Sequence, residues 1–386
     1  MNNYDFDKLI KRQNTSSIKW GAVNDGELPF WVADMDFEAP PAIIEAIKKR
    51  AEHGVFGYSK LPQDLVSSIC KHYSDKFGVF IDESWIVFIP SVMPAANIAC
   101  AMLGGRIMYF SPMYSHIRVL NEETELEKTE VKLKKTKDKN GLDRFEIDID
   151  ALERAYTPDI TTFIICNPHN PVGRVLTKDE LLSISSFCQK HNISIISDEI
   201  HCELALEGKH VPAFSVCEYM RDTSITLTSA GKIANIPGVP LGIAIIPNDE
   251  LRERFEKQCA GKFAHTNVFA SAALEKNYDG SCDEWKNALR EYLRQSRDYA
   301  EERFKKINGL SVTHIEGTYL LWIDASALDI DDSPFEFFRK NAKVFLSDGA
   351  DFGDKKCVRM NIACPRSMLK EGIDRMENAV NELLKK

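Results

Sequence analysis

No CxxC pair occurs among the ten cysteines of this chain, which stand at 70, 100, 166, 188, 202, 217, 259, 282, 357 and 364. No apolar run approaches the roughly 20 residues that a helix needs to cross a bilayer. The opening stretch MNNYDFDKLIKRQNTSSIKW has no apolar core of the kind a signal peptide carries. Its short charged pieces are expected to form an arm or a small helix. Scattered thiols without such a leader are expected to be reduced, in the cytoplasm, and to serve core packing. Basic charge is not in excess either. Forty-nine Lys and Arg against 58 Asp and Glu leave a net charge of −9, which excludes the usual footprint of a nucleic-acid binder. There is no internal repeat and no low-complexity segment. The partners expected are therefore small molecules, not nucleic acid or membrane.

What is present is a soluble globular composition, 44% hydrophobic and 28% charged. At 386 residues the chain exceeds one ordinary core, so two domains are expected. Its middle alternates short apolar runs with helical patterns. Strands are predicted at 85–89, 106–110, 161–166, 193–197, 224–228 and 241–246. Between two of them lies TKDELLSISSFCQKHN, where Thr177 and Glu180 make a capping box. Leu181, Ile184, Phe187 and Cys188 then keep helical spacing on one face. Strands alternating with helices predict an α/β fold, a mostly parallel sheet sandwiched by helices. After residue 283 a long amphipathic helix (285–307), two shorter strands in TYLLWID and CVRMNIA, and a last helix (367–386) read as a smaller α+β domain. The expected division is 46–283 for the large domain, with 1–45 and 284–386 forming an N-terminal arm and a small domain.

Five segments carry chemistry. In ISIISDEIHCEL (193–204) an apolar strand runs into Asp198, Glu199 and His201. A buried carboxylate is costly unless a cation or donors meet it, and strand carboxyl ends are where α/β sheets bind ligands. Asp198 therefore either faces a cationic ligand or caps a turn. In CNPHNPVGR (166–174) successive prolines turn the backbone and present Asn170 at a strand end, unless this is merely a Pro-rich turn. In LTSAGKIANIPG (227–238) Lys232 has no local acidic neighbour. A lysine near buried strands can lose pKa and become a nucleophile or base, although most lysines are simply solvated. In IPSVMPAANIACAMLGG (89–105) a strand meets a helix, so the Val92 and Met93 amides form an anion site at a helix N-terminus or an ordinary turn; the GK[ST] ending of a Walker loop is missing. In CVRMNIACPRS (357–367) Arg359 interrupts an apolar strand and needs a carboxylate, either a ligand's or an internal one. A metal hydrolase built on Asp198, Glu199 and His201 is remote, since HExxH spacing and a third ligand are absent.

Asn170, Asp198, Lys232 and Arg359, in that order and context, make the chain resemble the class I/II (fold-type I) aminotransferases, which use pyridoxal 5'-phosphate (PLP). WVADMDF and RMNIACPR, with SSIKW, FGYSKLP, NPHNPVGR and EGTYLLWID, narrow the resemblance to the MalY/PatB-type cystathionine β-lyase (C–S lyase) subgroup. The likeness covers nearly the whole chain. It implies that Lys232 holds PLP covalently and shuttles protons, that Asp198 pairs with the protonated pyridine nitrogen, and that Asn170 bonds the ring's phenolic oxygen near His201. It further implies that Tyr114 stacks on the ring, that Val92, Met93 and Ser229 hold the phosphate, and that Arg359 binds the substrate α-carboxylate. Tyr58 would reach the phosphate of a neighbouring subunit, hence a homodimer with shared active sites. The implied activity is cleavage of cystathionine or related S-substituted cysteines to a thiol, pyruvate and ammonia. An aminotransferase, or a catalytically silent regulatory protein on the same fold, are the rival readings. The chain departs from the family's usual SKTFNIAGL with GKIANIPGV, putting Ala234 where a bulky residue is usual. It also has MYSHI for VYPPF, PSVM for PGVV, and Glu203 for a common aspartate. These departures are expected to surround the pocket and to bear on substrate choice.

Overall fold

A computed structural model of the chain describes residues 4–120, 126–263 and 265–385. Residues 1–3 of the expected arm and residue 386 of the expected last helix lie outside the described residues. The main sheet has seven strands: β1 (Ile86–Ile89), β2 (Arg106–Ser111), β3 (Lys128–Lys132), β4 (Ile160–Cys166), β5 (Ser194–Asp198), β6 (Ser224–Ser229) and β7 (Gly242–Ile245). Their order is β1-β7-β6-β5-β4-β2-β3. Neighbours from β6 to β3 run parallel, while β7 is antiparallel to both β6 and β1. β4, β5 and β6 are buried along almost their whole length, the pattern of strands covered on both faces. Helix Val92–Leu103 packs on one of those faces, its Ala95, Ala96 and Ala99 in one core cluster with Ile164, Ile196 and Leu227. Helix Lys178–His191 sends Leu181, Ile184, Phe187 and Cys188 into another, with Phe163 and Ile195. Both legs of its capping box are present, and Asn192 ends it in the left-handed conformation.

A second sheet follows, β8 (Ser311–Val312), β9 (Leu320–Asp324), β10 (Ser347–Asp348) and β11 (Cys357–Asn361), antiparallel in the order β8-β9-β11-β10. It is covered by the long helix Asp283–Phe304 and the last helix Arg366–Leu384, whose Leu289, Leu293, Leu369 and Ile373 share one core with Leu320 and Met360. Phe6, Phe30, Met35 and Phe37 belong to that same core. Leu28 and Pro29 also pair in parallel with Val344 and Phe345, so the N-terminal segment packs with the C-terminal one.

The predicted strands are found within a residue or two of their expected ends, with one exception of kind. Trp85 falls in a short 3-10 turn before β1. The edge strand β3 (KTEVK) was not predicted, because its charged Lys128, Glu130 and Lys132 hide a short period-2 pattern. All ten cysteines are free, and eight of them are buried. No helix among the described residues is long and apolar enough to cross a membrane.

Candidate active site

Because β4, β5 and β6 are parallel, their carboxyl ends lie side by side: Cys166 is opposite Asp198, and Asp198 opposite Leu227. The loops that leave these ends carry Asn170, His201 and Lys232. β1 runs the same way, and its carboxyl end leads into the helix that begins at Val92. Four separate sequence segments thus open onto one edge of the sheet. They enclose a cavity of about 150 Å³ lined by Ala33, Ser91, Val92, Met93, Tyr114, Cys166, Asn170, Asp198, Ile200, His201 and Lys232. A wider cavity of about 540 Å³ shares Ala33, Tyr114 and Lys232 with it and adds Arg359.

The charges in these cavities are under-compensated. Asp198 is 3% exposed, and the one hydrogen bond its carboxylate takes from the backbone is from Ile200 N at 3.1 Å. Burial pushes its pKa up to about 6, opposed by that bond and by Lys232. Burial, reinforced by Arg359, brings Lys232 down to about 8, with Asp34 and Asp198 pulling the other way. Its Nζ donates to the Ala33 carbonyl at 2.7 Å. Arg359 is 4% exposed; it donates to Asn170 Oδ1 (3.0 Å), Trp31 O (2.8 Å) and Ser347 Oγ (3.1 Å), and lies 4.6 Å from the Phe352 ring centroid. None of these partners is a carboxylate, its Nε is unpartnered, and burial lowers its pKa to about 10. The internal acid that would have explained this arginine is not among the described partners. His201 is buried with Nδ1 unpartnered, and burial holds its ring neutral. Tyr114 is half-buried, its ring stacked on His116 at 4.9 Å, and its phenol is pushed up to about 12 by burial.

The second acid of SDEIH has a different task. Glu199 is fully buried, holds His210 Nε2 at 2.7 Å, and accepts from Ser197 Oγ and Ala213 N. It ties loops together, and strand alternation separates it from Asp198.

Two of the expected residues do not line either cavity. Ser229 donates its hydroxyl to Leu241 O at 3.0 Å and accepts from Gly231 N at 3.1 Å, so it shapes the lysine loop. Tyr58 is 91% exposed and its ring lies 4.8 Å from that of His265. Among the departures, Met93, Ser115 and His116 do line the cavities, but Ala234 does not. Its methyl belongs to the core with Phe214 and Ile243, because the chain after Lys232 turns back into the protein. Glu203 is likewise removed from the site, paired with Lys286 Nζ at 3.2 Å on the long helix.

Local reading missed the part played by 31–37, WVADMDF. This segment supplies carbonyls to two site groups, Trp31 to Arg359 and Ala33 to Lys232, and Ala33 also accepts from the Tyr319 hydroxyl (2.8 Å). It is clamped by distant side chains. Asn235 bonds Met35 and Phe37, and Asn361 bonds the carbonyls of Val32 and Asp34. Arg12 reaches Asp34 and Asp36, while fully buried Lys19 lies 2.6 Å from Asp36. The one local signal was two acids alternating with apolar residues, which demands buried cations somewhere.

Comparison with known proteins gives a consistent picture. The model of the family Aminotransferase class I and II matches residues 27–376. Cystathionine beta-lyase PatB of Bacillus subtilis (strain 168) is 31% identical over 392 residues, covering 98% of this chain and all of the relative. A PLP-bound structure from Clostridium difficile 630, named as an aminotransferase, superposes with a TM-score of 0.92 at 34% identity, over 98% of this chain and 100% of that one. Cystalysin from Treponema denticola, which contains PLP, gives 0.91 at 30% identity, over 98% and 99%.

Proposed function

The chain belongs to the aminotransferase class I and II family, and from that premise we propose that it is a PLP-dependent carbon–sulfur β-lyase acting on cystathionine or related S-substituted cysteines. The observation that carries the reading is the pairing of two uncompensated groups across joined cavities: Asp198, a buried acid short of a cation, and Arg359, a buried cation short of an acid. A pyridinium fits the first and an α-carboxylate the second.

The residues present fit the cofactor. Lys232 would hold it covalently, with Asp198 at its ring nitrogen, Asn170 and His201 at its phenolic oxygen, and Tyr114 against its face. Ser91, Val92 and Met93 start a helix whose first amides have no intrahelical partner, which suits a phosphate. Ser229 supports that end by shaping the lysine loop. Bound there, PLP supplies an electron sink that makes the Cα–H bond of an amino acid acidic. Arg359 orients the substrate through its carboxylate. Lys232, with a pKa brought to about 8, is partly neutral at physiological pH and can accept the α-proton. Loss of a thiolate from Cβ then leaves a three-carbon fragment that water converts to pyruvate and ammonia. With purified enzyme and cystathionine, pyruvate is expected to form without any keto acid. Turnover only when a keto acid is supplied would favour the aminotransferase reading.

The proposal extends to a cytoplasmic homodimer, built from a large domain at 46–283 and a small one at 284–386 with the arm. The division is supported by the core in which Phe6, Phe30, Met35 and Phe37 of the arm join residues 285–380, with Leu142, Leu204, Leu206 and Ile233 of the large part at its boundary. The dimer is supported by an apolar stretch turned to solvent: Val55 is 64% exposed, Phe56 56% and Tyr58 91%. Such side chains suit an interface, and Tyr58 is absent from the lining of its own chain's cavities. Tyr58→Phe is expected to weaken PLP retention without changing the fold. Hybrids of Tyr58→Phe and Lys232→Ala chains should exceed either parent in activity, since one of the two sites is then whole. Hybrids that form yet show no gain would count against shared sites.

A further inference from the structure

The turn that carries Lys232 ends at Asn235. Ala234 N bonds Ala230 O at 3.0 Å and Ile236 N bonds Gly231 O at 3.0 Å, so the lysine sits in one tight turn. Asn235 closes it at φ +51°, in the left-handed region that asparagine enters more readily than most side chains. Its side chain then leaves the turn. Oδ1 accepts from Met35 N at 2.9 Å, and Nδ2 donates to Met35 O at 3.1 Å and to Phe37 O at 2.8 Å. Both polar atoms of the side chain therefore serve a segment 200 positions away.

Asn361 grips the same segment independently. It is fully buried and ends β11, two residues beyond Arg359. Its Nδ2 donates to Val32 O at 2.6 Å and to Asp34 O at 2.7 Å, while Oδ1 accepts from Ala363 N at 2.8 Å. The backbone adds Asn361 N to Phe30 O (2.7 Å) and Asp36 N to Ala363 O (3.0 Å). Ala33 is the residue left between these grips, and it lines both cavities. A carbonyl oxygen has two lone pairs. One of those on Ala33 takes the Tyr319 hydroxyl at 2.8 Å, and the other takes Lys232 Nζ at 2.7 Å.

An amine that accepts a proton has to aim its lone pair, and the flexible four-carbon stem of lysine lets Nζ swing and rotate. One N–H···O bond to a fixed carbonyl removes much of that freedom, because the lone pair then points away from the carbonyl. We infer that Asn235 and Asn361 are positioning residues for Lys232: by clamping the segment 32–37 they fix the Ala33 carbonyl, which holds the free lysine amine with its lone pair toward the cavity. Neither asparagine lines the smaller or the wider cavity except Asn361 and Asn235 through the groups they hold, so their effect on the reaction passes through Lys232. The inference rests on the reading of Lys232 as the group that accepts the α-proton.

The test uses Asn235→Gly, since glycine takes the left-handed φ without strain while the clamp is deleted. Holoenzyme carrying it should exchange the α-proton of bound amino acid about 10- to 100-fold more slowly, the loss expected when a reacting group is displaced by about an ångström. Amino-acid affinity should change less than about threefold, because Asn361 still holds Val32 beside Trp31. In the cofactor-free variant Lys232 should react faster with acetic anhydride, read by peptide mapping, because its amine is no longer held. The deciding measurement is a double-variant cycle. In Lys232→Ala supplied with PLP, adding Asn235→Gly should alter the residual exchange by less than about twofold, since the group it positions is gone. A loss of the same size in both backgrounds would make Asn235 a structural clamp only and overturn the inference. So would native exchange, or native acylation of Lys232, in Asn235→Gly. Should that variant not fold, Asn235→Asp keeps the left-handed turn and the bond from Met35 N but has no donor for the two carbonyls, and the same outcomes apply. Unchanged exchange in Lys232→Ala alone would remove the reading of Lys232, and the inference with it.

Discussion

Replacing Lys232 by alanine is expected to abolish covalent retention of PLP and to slow α-proton exchange of bound amino acid by at least 10²- to 10⁴-fold, roughly the contribution of one positioned proton-transfer group. Lys232 is suited to both tasks by its surroundings. Burial lowers its pKa to about 8, so a useful fraction of neutral amine exists near neutral pH. The substitution should spare the fold. The Ala33 carbonyl that loses the Lys232 donor still accepts from the Tyr319 hydroxyl at 2.8 Å. The measurements are absorbance of the purified protein after gel filtration, borohydride fixation followed by peptide mapping, and deuterium exchange at Cα. A pyridoxyl group found on a different lysine, or on the alanine variant at native yield, would remove Lys232 from the role.

Asp198→Asn should produce opposite effects on activity and on the stability of the cofactor-free protein. For activity, asparagine keeps the shape but cannot hold a proton on a pyridine nitrogen, so Cα–H cleavage should slow by several powers of ten, each worth about 1.4 kcal/mol. Amino-acid affinity, which the proposal assigns to Arg359, should change far less. For stability the sign follows from the pKa. Asp198 is raised from the ordinary 3.8 to about 6, so the folded cofactor-free protein holds the proton more tightly than the unfolded chain does. The buried charge costs nothing below about pH 4, and its cost grows as pH rises through about 6. At full ionisation the two-unit shift amounts to about 3 kcal/mol. The cofactor-free Asn variant should therefore resist urea better than the native chain at pH 8, and equally at pH 4. A variant less stable at pH 8, with near-normal exchange, would mean that Asp198 is a strand-end cap and nothing more.

The two predictions depend on the sequence to different extents. Asp198 and Arg359 were marked as candidates because a charged group ends or interrupts an apolar strand, Asn170 because successive prolines follow a strand, and Lys232 because it has no local acidic neighbour; the structure brings all four to the lining of the two cavities. Helix Lys178–His191 was legible too, since a capping box and 3.6-residue spacing are written within fifteen residues. The parallel sheet followed from strands alternating with helices. Each of these rules acts over one turn or one strand, so a linear reading can apply it.

What only the tertiary structure decided are contacts between segments far apart in the chain. Met35 N meets the Asn235 side chain 200 positions away, and Arg359 meets Asn170 across 189. No local period encodes such a pairing. That no carboxylate among the described residues hydrogen-bonds Arg359 is a property of everything packed around it, and so is the exclusion of Ala234 from the cavity. The antiparallel course of β7 was also decided there, because an apolar run of four residues has no direction until its hydrogen-bond partners are known. Sequence by itself determined which residues could carry the chemistry. Packing determined which were left with charge uncompensated, and in a buried site uncompensated charge is what makes room for a ligand.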